Sequence, residues 1–319
     1  MEIFVISLLL FVSLFALLCF FLAPRRGHRD WTFLRQFRYA HRGLHRQPLS
    51  AADYPADPAV PDVPPRWETD VQAAAEPVLP ENSLAAFRRA ASAGFGAELD
   101  VHLTKDARLA VVHDSELARV TGRAGTVEDL TSEELDTYRL LGTDEHIPYL
   151  EEVLPIFEAS GTPLVVELKT YGANYPELTG TVVACLDRFQ THYCIESFDP
   201  RVLLWLRQKR PEIVRGQLAT NFIKEPNGLK PLQRIVLTNL LLNFKTRPDF
   251  IAYEFGERRR PAVRLCCGLL GGQEVNWTIR SPADLTQAEH EGHLAIFERF
   301  VPDATRGAGA TPSVAVAVK

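Results

Sequence analysis

Residues 97–103 read Ala97-Glu98-Leu99-Asp100-Val101-His102-Leu103. Leu99, Val101 and Leu103 alternate with Glu98, Asp100 and His102, the period of two of a strand with apolar side chains on one face and two carboxylates on the other. A half-exposed antiparallel strand with its acidic face in water has the same pattern. The surroundings favour a different setting. The helical pattern SLAAFRRAASAG, residues 83–94, precedes the strand and ends on Gly94, a residue suited to a C-terminal cap. The apolar segment LAVVHD, residues 109–114, follows it. A helix feeding a strand is the unit of an α/β chain. In a parallel sheet both faces are covered, and two carboxylates two residues apart repel each other unless a positive charge lies between them. A divalent cation with oxygen ligands, Mg²⁺ or Ca²⁺, meets that need.

Working outward, further strand-like segments are FRYAHRG (37–43), PLVVELK (163–169), YCIESFD (193–199), IVRGQLA (213–219), DFIAYEF (249–255) and VNWTIRS (275–281). Between them lie YLEEVLPIFEAS (149–160), LTGTVVACLDRFQ (178–190), RVLLWLRQKRP (201–211), LQRIVLTNLLLNFK (232–245) and SPADLTQAEHEGH (281–293), most with apolar residues at helical spacing. With the two segments at 97–103 and 109–114, that makes eight strands and intervening helices over about 260 residues, which predicts an α/β fold of the (β/α)8 TIM-barrel type. A doubly wound open sheet is the alternative, and the glycine-rich phosphate loop it needs is absent from the sequence.

The chain has 319 residues, 46% of them hydrophobic, enough for one sizeable core. A formal net charge of −5 gives no basic footprint for nucleic acid. Five cysteines without metal-site spacing indicate reduced thiols. The run IFVISLLLFVSLFALLCFFL, Ile3–Leu22, is uncharged and long enough to cross a bilayer core of ~30 Å as a helix. No basic residue precedes it and no small-x-small cleavage site follows it, which argues against a secretory signal. Arg25, Arg26, Arg29, Arg35 and Arg38 all follow the run, so the positive-inside rule puts the large C-terminal part in the cytoplasm of a single-pass membrane protein. The expected layout is a transmembrane anchor at 1–24, a basic juxtamembrane segment at 25–38 and a barrel at 39–302. A long Pro-rich loop occupies 47–80 and a disordered tail 303–319.

Polar residues gather at the expected strand ends: His41, Arg42 and Gly43; Glu98 and Asp100; His113 and Asp114; Glu167 and Lys169; Ser197 and Asp199. In a TIM barrel those ends converge on one mouth. Glu98, Asp100 and Glu167 suit one divalent cation with positions left for a phosphate, and the motifs supply no cation of sufficient charge to neutralise them. His41 and His113 suit proton transfer near neutral pH. Arg42 and Lys169 suit a phosphodiester's charge. Such parts describe cleavage of a phosphate ester. Glu81 stands before the helical pattern, where a cap role and a site role are both open. Trp277 suits either packing or contact with substrate, and His45 and His102 read as bystanders.

These residues resemble the motifs of the glycerophosphodiester phosphodiesterases. The pieces are His41-Arg42-Gly43, Pro80-Glu81-Asn82-Ser83-Leu84-Ala85-Ala86-Phe87, Glu98-Leu99-Asp100-Val101, Leu103-Thr104-Lys105-Asp106, His113-Asp114, Glu167-Leu168-Lys169, Ser197-Phe198-Asp199 and Trp277-Thr278, in order over most of the chain after Tyr39. The resemblance implies a barrel that hydrolyses glycerophosphodiesters to glycerol 3-phosphate and an alcohol with Mg²⁺ or Ca²⁺. It implies His41 and His113 as the acid/base pair, Glu98, Asp100 and Glu167 as metal ligands, Arg42 and Lys169 as phosphate contacts and Glu81 as a residue near the site, so that Arg42, Lys169, Glu81 and, as an aromatic at the mouth, Trp277 are the candidate substrate contacts. Two features depart from it: the long segment between Gly43 and Pro80, and the stretch LAIFERFVPD (294–303), which lacks the Thr-Asp pair that often follows the last strand. A lysophospholipase D-like reaction on membrane lysophospholipids and a catalytically inactive, membrane-tethered binding module are the alternative functions.

Overall fold

The computed structural model of the protein describes residues 1–25, 32–46, 77–225 and 228–303. Most of the 47–80 loop, part of the juxtamembrane segment and the tail from 304 onward lie outside the described residues. Eight parallel strands close into a barrel: β1 Tyr39–Ala40, β2 Gly96–Leu103, β4 Leu164–Leu168, β5 Tyr193–Ser197, β6 Arg215–Ala219, β7 Phe250–Glu254, β8 Gln273–Ile279 and β9 Leu294–Phe297. Closure comes from β1, which pairs in parallel with β2 on one side and β9 on the other.

The expected strand set is corrected at two places. LAVVHD contributes β3, Leu109–Val111, which pairs antiparallel with the end of β2 and lies outside the barrel. The eighth barrel strand is β9, in the stretch read from the sequence as following the last strand. A short loop explains the first correction: five residues join β2 to β3, which permits a hairpin and not a crossover helix. Residues 110–149 then form a small side cluster around Leu117, Val127, Leu135, Tyr138 and Ile147. The apolar run 232–245 is also broken, into helices Pro231–Thr238 and Asn243–Thr246, where Leu240 takes a left-handed φ of 56°.

The alternation in 97–103 is resolved by the barrel. Ala97, Leu99 and Val101 face outward into the main core, with Phe87 of helix Leu84–Ser92 and Leu154 and Phe157 of helix Leu150–Ser160. The first of these helices starts where the Ser83 side chain accepts the Ala86 N–H. Glu98 and Asp100 therefore point into the barrel. The lower interior is apolar, lined by Leu34, Tyr39, Val165, Cys194, Phe250, Val275 and Leu294 around a void of about 10 Å³. Phe250 reaches across to β6, where a Cβ on Gly216 would lie 2.0 Å from its ring, so only glycine leaves the ring its place.

Residues Glu2–Leu22 form one helix, α1, whose side chains from Ile3 to Leu18 are exposed. Its last turn packs on the barrel, with Leu22 fully buried.

Candidate active site

The strand register sets Asp100 of β2 opposite Glu167 of β4, and Glu167 opposite Glu196 of β5. Glu98, Asp100 and Glu167 each bring one carboxylate oxygen within 4.8 Å of the others, and all three are buried. The expectation that these acids have no cation of their own is corrected. The Lys169 ammonium lies 2.9 Å from Asp100 Oδ1 and 2.7 Å from Glu167 Oε1. Apart from Lys169, neither oxygen meets a hydrogen-bond donor among the described residues. The Asn82 side-chain amide donates to Asp100 Oδ2 at 2.8 Å.

The turn after β1 completes this corner. Arg42 has φ 53° and Gly43 φ 79°, and a side chain on Gly43 would crowd the Ala86 backbone at 3.0 Å. This tight turn directs the Arg42 backbone N–H at Glu98 Oε2, 2.9 Å away, and sets the Arg42 Nε 3.6 Å from Asp100 Oδ2. One positive side chain in contact and another nearby do not balance four buried carboxyls. Burial, then the charges of Asp100 and Glu167, push the Glu98 carboxyl well above the usual range. At Asp100 burial pushes the same way but is outweighed by Lys169, His113 and Arg42, which hold that carboxyl well below it. Burial and the Glu167 charge also raise Glu196, whose Oε2 is buried without a hydrogen-bond partner among the described residues. An excess of buried acid of this kind, made of hard oxygen donors, suits a divalent cation.

Each histidine is held by a carboxylate on Nδ1, and each carboxylate by an arginine. His41 Nδ1 lies 2.6 Å from Glu298 Oε2, and Arg280 donates to Glu298 Oε1 at 2.6 Å. His41 Nε2 is 4.0 Å from Glu98. His113 Nδ1 lies 2.6 Å from Asp114 Oδ1, and Arg119 donates to the other Asp114 oxygen. Such partners fix ring orientation and leave Nε2 of each ring for other work. Burial lowers both imidazoles; His41 is lowered further by Arg42, and His113, under the added charges of Lys169 and Arg42, falls to about 4. Burial thus favours the neutral, proton-accepting form of each ring.

Glu81 is 4% exposed and takes Arg42 at 2.9 Å and Arg119 at 2.6 and 3.1 Å. It thereby joins the His113 support to the Arg42 side chain. Trp277 lies on the barrel interior, edge-on to Phe198 at 5.7 Å, and Lys169 stands 6.0 Å over the Phe198 ring. Of the two bystanders, His102 braces the site from outside, bonding Glu128 at 2.7 Å and the His113 carbonyl at 3.2 Å. His45 is half-buried 4.0 Å from Glu298, and desolvation lowers it to about 4.

The sequence reading misses Glu298, Arg119, Asn82 and Glu196. Glu298 follows an apolar run just as His41 and Lys169 do, and placing that run after the last strand hid it. Glu196 follows from the alternation in YCIES, since Cys194 faces the interior and Ile195 the outer core. Arg119 has no such signal, because its short helix Ala118–Thr121 belongs to the side cluster.

The chain is similar to known proteins in fold and in sequence. In fold, the chain is similar to a phosphodiesterase from Oleispira antarctica solved in complex with the product sn-glycerol-3-phosphate, with a TM-score of 0.61 at 20% identity over 84% of this chain and 94% of that one. In sequence it is 36% identical over 159 residues to a Bacillus altitudinis glycerophosphodiester phosphodiesterase, covering 46% of this chain and 64% of that relative's length. It is also 38% identical over 102 residues to a rat lysophospholipase D, covering 28% of this chain and 32% of that protein. The model of the glycerophosphoryl diester phosphodiesterase family matches residues 73–245, more than half of the chain, with Glu81, Glu98, Asp100, His113, Glu167 and Lys169 inside the match, and the chain belongs to that family.

Proposed function

We propose that the protein hydrolyses glycerophosphodiesters to glycerol 3-phosphate and an alcohol, using a divalent cation, Mg²⁺ or Ca²⁺, held by Glu98, Asp100 and Glu167. The observation that carries this reading is the buried triad of carboxylates beside two carboxylate-held histidines at one barrel mouth. When bound, the cation supplies Lewis acidity at the phosphate. His41 and His113 divide the proton work, one accepting from the attacking hydroxyl and the other donating to the leaving alcohol. Lys169 and Arg42 neutralise the remaining phosphate charge, and Glu81 holds the Arg42 guanidinium in place. Trp277 with Phe198 offers an aromatic wall to the glycerol or alcohol part.

The three-carboxylate set makes metal the first test. Titration of purified protein with Mg²⁺ and Ca²⁺ by calorimetry should give one site, and chelation should abolish hydrolysis of glycerophosphocholine. Glu98→Gln, Asp100→Asn and Glu167→Gln should each weaken the metal isotherm. Full turnover in excess chelator defeats the reading. A catalytically inactive binding module fits less well, because every proposed ligand and proton carrier is present.

We further propose that Ile3–Leu22 spans the membrane once, with the barrel at 39–302 in the cytoplasm, since the arginines near the span all follow it. Arg38, one of them, also serves the barrel through Glu289 at 2.8 Å. A C-terminal reporter active only outside the cell would refute this orientation.

A further inference from the structure

The end of α1 is fixed to one end of the barrel. The Leu22 carbonyl accepts from Asn243 at 3.1 Å, the Ala23 carbonyl accepts from Arg247 at 2.9 Å, and the Arg25 N–H donates to the Pro248 carbonyl at 2.9 Å. The Arg25 guanidinium reaches the Pro211 carbonyl at 2.8 Å and Asp249 at 3.7 Å. Phe20 and Phe21 pack on Phe244, with ring centroids 5.7 and 4.8 Å away, and Pro24 lies against Gly272. Each of these partners sits in a segment that leads into β6, β7 or β8, at the N-terminal ends of the strands. His41, Lys169 and Glu298 stand just past the opposite ends of β1, β4 and β9. A strand of five residues separates the two faces by about 17 Å before loops are added.

The contacts begin within the last turn of the helix, so no slack chain joins it to the barrel. The side chains from Ile3 to Leu18 are exposed, which means the helix leaves the barrel instead of lying along its flank. Leu269, 63% exposed, sits on the π-helix Arg264–Leu269 that touches α1 beside this exit. Among the described residues, large exposed apolar side chains of the connections that leave the mouth fall in separate groups: Tyr171 follows β4, Ile223, Leu232 and Ile235 follow β6, and Val301 follows β9, strands that are not neighbours in the barrel. Groups on connections of non-neighbouring strands do not join into one continuous apolar face.

We infer that the helix holds the barrel with its mouth turned away from the bilayer, so that the site takes water-soluble glycerophosphodiesters from solution and not lysophospholipids seated in the membrane that carries the protein. The inference rests on the proposed span and on the proposed phosphodiesterase activity. An in-plane lipid presents its phosphate at the headgroup level, on the far side of the barrel from Lys169 and Arg42. Tethering raises the effective concentration of a partner only when geometry lets both sites engage.

The test uses the full chain reconstituted in phosphatidylcholine vesicles, with anchoring checked by flotation. A fluorophore is attached through a clickable amino acid at Tyr171, on the mouth, or at Lys245, beside the helix exit, and lipids carrying a headgroup nitroxide serve as quencher. The label at Lys245 should be quenched and the label at Tyr171 should not. In the same vesicles, lysophosphatidylcholine should be cleaved at least about 100-fold more slowly than glycerophosphocholine, while a water-soluble short-chain lysophosphatidylcholine is accepted. Equal quenching at the two positions, or cleavage of the vesicle's own lysolipid at a rate near that of glycerophosphocholine, overturns the inference. Rejection of the short-chain compound also overturns it as the cause of selectivity, and assigns the selectivity to the pocket. Failure to float removes the span and this inference together. The expected quenching with no hydrolysis of any substrate leaves the orientation standing and defeats the proposed activity.

Discussion

The two halves of the barrel interior are built by the same strands and differ in nearly everything else. Along β4, Val165 and Glu167 both point inward, two residues apart. Val165 meets Cys194, Phe250 and Val275 in a filled apolar layer, whereas Glu167 meets Lys169, Asp100 and Glu196. The lower layer gains stability by removing apolar surface from water, and its void is too small to weaken it. The upper layer concentrates buried acid, an arrangement that opposes folding and persists because the strands below position it. A barrel thus separates stability from chemistry along its axis, and substitutions in the two halves should separate in the same way.

The largest effects should come from the histidines. His41→Ala and His113→Ala should each lower turnover by about 10²–10⁴-fold, the range for general acid/base groups, with melting nearly unchanged and metal still bound. Substrates with a good leaving group should restore the variant that lacks the acid and not the one that lacks the base. Wild-type turnover in both folded, metal-loaded variants breaks the assignment of chemistry to the upper half.

The converse experiment is in the lower half. Phe250→Ala should cost about 3–5 kcal/mol of stability, read by denaturant unfolding, because a fully buried ring is lost and the layer around it collapses only in part. Turnover per folded molecule should be retained. Gly216→Ala attacks the same ring from the other side, and at about 1–3 kcal/mol its cost should be smaller, since Phe250 can shift at the expense of its rotamer. A loss of turnover beyond the loss of folded protein in either variant would mean that the two layers are coupled.

This division also explains what the sequence makes legible. The period of two in 97–103 and 163–169 identifies inward carboxylates because the outward face of a barrel strand is uniformly apolar against helices. Glu98, Asp100 and Glu167 are therefore visible from residues alone, and the resemblance places His41 and His113 beside them. The number of strands came out right for a partly wrong reason. LAVVHD and LAIF are both short apolar runs, and periodicity cannot say which one crosses the barrel and which folds back as a hairpin. Misplacing LAIF concealed Glu298, the partner of His41. Contacts such as Lys169 on Asp100 depend on stagger between strands, which no single segment encodes.

Arg119 gives the smallest of these effects and the most specific one, since it lies outside the barrel and, among the described residues, touches the upper half through Asp114 and Glu81. Its removal takes one of the two arginines from Glu81 and leaves His113 on Asp114. Arg119→Ala should reduce kcat by about 10-fold, as for other residues that orient a site group at one remove, with KM changed less. Burial tends to raise the Asp114 carboxyl, but His113 and Arg119 hold it down, at about 2. A carboxyl depressed in the folded state contributes stability that is complete above its unfolded value and is lost as pH falls through the folded one. Without Arg119 the folded value rises, so the loss sets in at higher pH, and the acid-unfolding midpoint should move upward. Arg119→Lys should recover part of both effects, because an ammonium restores the charge but not the fork that spans Asp114 and Glu81. An unchanged kcat together with an unchanged acid limb would reduce Arg119 to a surface ion pair and confine the machinery of the upper half to the barrel itself.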